Sequence, residues 1–183
     1  MPYIDVTPEL PGIISLLSAY PYIAGPLNAF TQQLLRGESS LTPGERELIA
    51  AFVSGRNECK FCMRAHTAVA KNLLPNDQSK SVDKVVNQSD FGTVDKKMQA
   101  LLDIAASVQK GGKQVTREQI DRARFNGADD RAIHDAVLIA AAFCMFNRYV
   151  DGLDTWTPEE PQIYESIGTR LAAQGYVGTN KNQ

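Results

Sequence analysis

The sequence predicts an all-α protein, and three observations carry that expectation. Helix-start signals recur: Thr42-Pro43-Gly44-Glu45, Thr116-Arg117-Glu118-Gln119 and Thr157-Pro158-Glu159-Glu160 each set a hydroxyl cap three residues before a Glu or Gln. Two of them also carry proline at the first helical position, where its missing N–H costs nothing. No segment alternates apolar and polar residues convincingly enough to compete as a strand. Finally, Ala136 to Phe146 is apolar around most of a helical circumference, which asks for neighbours on nearly every side.

In chain order, helices are expected at about 9–19 and 22–36, and then at 43–55 behind the Thr42 cap. Asn57 is read as the cap of the next, at 58–73. Residues 74–93, rich in Asn, Asp, Ser and Gly after Pro75, read as a loop or a poorly formed helical link. A helix at 94–109 ends at Lys110-Gly111-Gly112-Lys113, and one at 117–125 runs from the Thr116 cap to a stop at Asn126-Gly127. Asp129 or Asp130 opens a helix over 129–150, which is expected to be central or part of a subunit interface, and Thr157 opens the last over 158–174. Residues 178–183 read as a frayed, disordered tail.

A chain of 183 residues suits one domain spanning 1–183, with its core at about 8–176. Hydrophobic content of 43% beside 22% charged residues is globular composition, so a packed core is expected. A net charge of −2 and a pI near 5.7 supply no general attraction for nucleic acid or anionic lipid. The N-terminus lacks the basic stretch and apolar run of a secretory leader, and the longest nearly unbroken apolar run is 11 residues, against roughly 20 for a membrane-spanning helix. The expectation is a soluble cytoplasmic protein without nucleic-acid or membrane partners.

Three cysteines are too few and too odd in number for a secreted disulfide framework. Two of them form Cys59-Lys60-Phe61-Cys62, with Asn57 expected to cap the helix that carries both. In a first helical turn, free amides and the helix dipole favour thiolate over a thiol whose ordinary pKa is about 8.5. Three residues apart, the side chains are neighbours at about 5–6 Å between β-carbons, near enough to close a disulfide after modest adjustment. His66 follows Cys62 by four residues on the same face, which makes it the nearest candidate base. On that spacing Cys62 is the base-activated sulfur and Cys59 its resolving partner. The helix terminus, however, favours ionising Cys59, and spacing alone does not decide between the two. Lys60 and Arg64 predict partial exposure of the thiols, while Glu45 and Glu47 on the preceding helix are candidates to orient the imidazole.

Glu47 followed by Cys59-Lys60-Phe61-Cys62-Met63-Arg64-Ala65-His66 resembles the active-site motif of the alkylhydroperoxidase D and carboxymuconolactone decarboxylase superfamily. Ala142-Phe143-Cys144-Met145-Phe146-Asn147-Arg148 resembles the closing helix of its peroxidase-related branch, so the likeness covers roughly residues 40–75 and 130–152. The resemblance implies a helical domain of the alkylhydroperoxidase D-like type, assembled as a dimer, trimer or hexamer. It also implies a thiol peroxidase: Cys62 reacts with a hydroperoxide substrate, Cys59 resolves it as a disulfide, and His66 and Glu47 form a proton relay through water. An external dithiol reductant then restores the pair, with no cofactor or metal in the chain. The best-known peroxidase members have a histidine between the cysteines where this chain has Phe61, a departure that counts against strong peroxidase activity and leaves the thiols and their base in place.

Other readings compete. A lactone decarboxylase, as in other branches of the superfamily, would not need paired thiols, and a noncatalytic redox sensor or binding module would close the pair without turnover. A structural zinc site needs four ligands, and beyond Cys59, Cys62 and His66 only His134 and Cys144 remain, each isolated from the others. Haem attachment fails because Met63 stands where histidine is required. Cys59 and Cys62 could also be two buried structural thiols. Glu45 is most simply the partner of Thr42 in a capping box, Cys144 a small core residue and His134 a surface or interface residue. Asn147 and Arg148 either close over the site or hold an interhelical hydrogen bond.

Overall fold

In the computed structural model, which describes residues 1–177, the chain runs α1 (Ile13–Ala19), α2 (Pro21–Arg36), α3 (Pro43–Arg56), α4 (Lys60–Leu73), α5 (Asn76–Ser79), α6 (Val82–Gln88), α7 (Lys96–Lys110), α8 (Arg117–Phe125), α9 (Asp130–Asp151) and α10 (Pro161–Gln174). Short 3-10 turns at Phe91–Thr93 and Gly112–Gln114 complete an all-α fold with no strand among the described residues. The tail expected at 178–183 lies outside the described residues.

Local chemistry sets most of the helix starts. Thr42 Oγ1 accepts the Glu45 N–H at 3.2 Å and the Glu45 carboxylate takes the Thr42 N–H at 2.7 Å, a reciprocal box that opens α3. Thr116 and Gln119 build the same box for α8, and Asp129 caps α9 through the Ala132 N–H at 2.7 Å. The Thr157 signal does not work this way. Helix α10 begins only at Pro161, because the Pro158 carbonyl is taken by Arg64 and the Tyr164 hydroxyl while Glu159 pairs with Arg64. Residues 74–93 carry more helix than their polar composition suggests, since Val82, Val85 and Val86 recur at i, i+3 and i+4 and are buried.

The helix surrounded on most sides is α3, not α9. Every residue of α3 from Arg46 to Ser54 is buried, and the helix packs against α4, α9, α7 and α6. Helix α9 buries Ile133, Ala136, Ile139, Ala140, Phe143 and Phe146 along one side, and leaves His134, Leu138, Ala141, Met145 and Arg148 outward. It is long and apolar enough by composition to cross a membrane, yet 56% of its most apolar stretch is buried inside the fold, as in the core helix of a soluble protein. The main core is built around Leu35, Ile49, Phe52, Leu101, Ile104, Ile139 and Phe143. A second apolar cluster joins Cys59, Phe61, Cys62 and Val69 to Tyr164, Ile167 and Leu171 where α4 lies on α10. That approach is close enough that a Cβ on Gly168 would meet Ala68 Cβ at 2.7 Å.

Candidate active site

The turn Asn57-Glu58-Cys59 between α3 and α4 positions the thiols. Asn57 does not cap α4. It closes α3, with its N–H reaching the Val53 carbonyl at 2.9 Å, and its side chain is spent elsewhere. The amide donates to Asn147 Oδ1 at 2.8 Å and accepts from Gln109 Nε2 at 2.9 Å, while Asn147 Nδ2 donates to Ser54 Oγ at 3.1 Å. Of the two readings for Asn147, the interhelical hydrogen bond is the one found. Arg148 donates to the Cys144 carbonyl of its own helix. Glu58 adopts a left-handed φ of 61°, and the Cys59 N–H then returns to the Ser54 carbonyl at 3.0 Å.

This turn reverses the expected effect of the helix terminus. Cys59 itself occupies the cap position, and Cys62 lies in the first turn of α4, beside its free amides. Cys59 is pushed well above the ordinary thiol range, first because its S–H is shared with the Cys62 sulfur, then by burial, by charge on Cys62 and by contact with Asp151. The backbone N–H of Cys62 opposes this and is outweighed. Cys59 is thus held as the protonated thiol. The thiols are also less exposed than their charged neighbours suggest, at 0% for Cys59 and 4% for Cys62. Lys60 faces solvent, and Arg64 is held away by the Pro158 carbonyl and Glu159, each at 2.8 Å.

Cys62 and His66 share the wall of a cavity of about 70 Å³, which Cys59 does not line. The apolar part of the wall comes from Ile13 and Leu17 of α1, Leu27 of α2, Phe61 of α4 and Phe143 and Phe146 of α9. His66 meets the Phe143 ring edge-on with centroids 4.6 Å apart, and its Nδ1 lies 2.6 Å from Glu47 Oε2. A carboxylate only accepts, so Nδ1 carries a proton and donates it to Glu47, which leaves Nε2 as the nitrogen available for proton transfer. Glu47 is 0% exposed. Burial by itself would push its carboxyl up, but His66, Arg36 and Tyr176 together hold it below the usual range.

Glu47, Cys59, Cys62 and His66 therefore come together in one place. Glu45 serves its capping box and an ion pair with Lys97. His134, 62% exposed at its side chain, binds the neighbouring Asp135, and Cys144 is a buried core residue that receives the Asn57 amide at 3.5 Å. Among the described residues no group of three or more His, Cys, Asp or Glu side chains is arranged to hold a metal ion. Two site residues had no signal in the sequence. Arg36 pairs with Glu47 Oε1 at 2.7 Å, and the Tyr176 hydroxyl donates to the same oxygen at 2.6 Å. Both act across the fold, one from the last turn of α2 and the other from beyond α10, at separations where no spacing rule operates.

Fold and site define an all-α protein with a buried dithiol beside a carboxylate-bound imidazole. The model of the carboxymuconolactone decarboxylase family matches residues 21–74, the segment that holds Arg36, Glu47, Cys59, Cys62 and His66. No curated protein matches the chain. Among solved structures, an uncharacterized peroxidase-related protein from Silicibacter sp. TM1040 is 28% identical at a TM-score of 0.69, over 82% of this chain and 78% of that one. The alkylhydroperoxidase AhpD core of an uncharacterized peroxidase-related protein from Ralstonia eutropha JMP134 shares the fold at a TM-score of 0.75 and 24% identity, over 87% of this chain and 81% of the other. The chain is thus similar to the carboxymuconolactone decarboxylase family over residues 21–74 and shares its fold with these peroxidase-related structures.

Proposed function

We propose that the protein is a thiol-dependent peroxidase that reduces hydroperoxides through a Cys59–Cys62 dithiol cycle. The observation that carries this reading is that Cys62 and His66 face one small cavity while Cys59 lies outside its wall and Glu47 grips the far nitrogen of the imidazole. His66 takes the Cys62 proton, and the thiolate attacks the distal oxygen of ROOH. The O–O bond breaks, the proton returns to the departing alkoxide as ROH, and Cys62 is left as the sulfenic acid. Cys59 then attacks that sulfur, its proton leaves with the hydroxyl as water, and the resulting disulfide is reduced by an external dithiol. The peroxidase-related names of the structural neighbours agree with this chemistry. In the same reading the chain is one domain, works in the cytoplasm and forms a homo-oligomer. The apolar residues left outward on α2 and α9, Tyr22, Phe30, Leu138 and Met145, are suited to such an interface.

Mass spectrometry after substoichiometric peroxide tests the proposal. A Cys59–Cys62 disulfide is expected in the parent protein, and sulfenic acid at Cys62 in Cys59→Ser. Sulfenic acid at Cys59 in Cys62→Ser, with none at Cys62 in the converse variant, would overturn the assignment. A double-serine variant that still turns over a lactone would favour the decarboxylase. A peroxide consumption rate no greater than that of the double-serine variant would favour the redox sensor.

A further inference from the structure

Beyond α10 the chain turns back through Gly175, whose φ of 67° is left-handed. A Cβ at that position would also push the Gln32 side-chain amide aside, but it is the left-handed φ that calls for glycine here. The same amide oxygen accepts the Tyr176 N–H at 2.8 Å, which fixes the next side chain against the site. The Tyr176 ring forms part of the cavity wall with Cys62 and His66, and lies nearly parallel to the imidazole, with planes 16° apart and centroids separated by 6.3 Å. Arg36 sits 5.2 Å from the ring centre.

Glu47 divides its two oxygens. Oε1 takes Arg36 and the Tyr176 hydroxyl, and Oε2 takes His66. The phenol oxygen is also 3.4 Å from His66 Nδ1, where it offers that N–H a second acceptor. The structure assigns Tyr176 as a positioning residue of the relay: its hydroxyl locks Oε1 of Glu47, leaves Oε2 aimed at His66, and so sets the pH range over which Cys62 is activated. The assignment rests on reading Cys62 as the base-activated thiol. Tyr176 lies outside the segment matched by the family model, so this contribution comes from the C-terminal end of the chain and not from the motif.

The charged and titratable groups facing Glu47 are Arg36 from α2, Arg46 from α3 itself, His66 from α4, and Tyr176. Burial and the neighbouring carboxylate push the Tyr176 phenol well above its ordinary value, so it stays a donor. Removing that donor leaves the ionised form of Glu47 less stabilised, and the carboxyl takes up a proton at higher pH. A protonated Glu47 holds the Nδ1–H less strongly, so the imidazole is less firmly oriented for taking the Cys62 proton.

The test is Tyr176→Phe, which keeps the ring and deletes the donor. Alkylation of Cys62 by iodoacetamide is followed site by site from about pH 4 to 9 in a Cys59→Ser background, alongside peroxide consumption in the chain with both cysteines. The acid limb of both profiles is expected to move upward by roughly one pH unit, with the rate on the alkaline plateau close to that of the parent. An unmoved limb, or a loss by the same factor at every pH, overturns the assignment. A moved alkylation limb in a protein that consumes no peroxide upholds Tyr176 and defeats the peroxidase reading. If Tyr176→Phe does not fold, Gln32→Ala releases the Tyr176 backbone and keeps its phenol. A smaller shift in the same direction is expected there, and an unmoved limb again overturns the assignment.

Discussion

Glu47 is an anion with no access to water, and its burial is tolerable only because Arg36, His66 and Tyr176 surround it. Its two substitutions therefore have different consequences. Glu47→Gln keeps the shape but removes the charged acceptor that holds the His66 Nδ1–H, so peroxide consumption is expected to fall by roughly 10²-fold, the usual share of a general base. Glu47→Ala in addition leaves the largely buried Arg36 guanidinium, 11% exposed at its side chain, without its carboxylate, and unfolding in urea should show a loss of up to about 3 kcal/mol, the low end for breaking a buried pair from one side. A Glu47→Gln protein with parental activity would remove Glu47 from the relay. Phe61 differs from these residues in being wholly part of the packing. Its ring meets Tyr164 at 6.0 Å between centroids and lies against Gly12, so the position between the cysteines supplies cavity wall and no proton.

At the scale of elements, the turn from α3 into α4 depends on α9. Asn147 joins Asn57 to Ser54, and the Asn57 side chain also binds Gln109 of α7. Asn147→Leu should leave those polar groups short of partners and cost about 1–3 kcal/mol in urea unfolding. It should also blur the division between the two sulfurs, with sulfenic acid appearing at both cysteines in their single-serine variants. Unchanged stability would mean that the turn holds itself. The same turn shows what the sequence does and does not make legible. Helix starts such as Thr42, Thr116 and Asp129 depend on neighbours within four residues, and they form as read. The spacing of Cys59, Cys62 and His66 along one helix was legible for the same reason. Asn57 misled because a capping residue type was free to bond across the fold to Asn147 and Gln109. Arg36 and Tyr176 could not be read at all, since their contacts with Glu47 exist only once α2 and the segment after α10 have packed beside α3. The burial of α3 was masked by Arg46, Glu47 and Ser54, polar residues that each find partners inside.

For the whole molecule, these buried groups set how stability depends on pH. Glu47 has a folded value below that of the unfolded chain, so its contribution is present above the unfolded value of about 4.3 and is lost as pH falls through the folded one. Cys59 and Tyr176 are shifted the other way. Their contributions are full below the unfolded values of about 8.5 and about 10, and are lost as pH climbs from there toward the folded values. The loss from Glu47 should therefore lie on the acid side, below about pH 5, and the alkaline decline should begin at the thiol before the phenol joins it. Cys59→Ser isolates the first part of that decline. It removes the group that must stay protonated to fold, so the fall between about pH 8.5 and 10 should become shallower while the acid side stays as it was. Urea midpoints measured across this range for both proteins give the answer. If the alkaline slope is the same with and without Cys59, its proton is not held by the fold, and the division of roles between the two sulfurs loses that support.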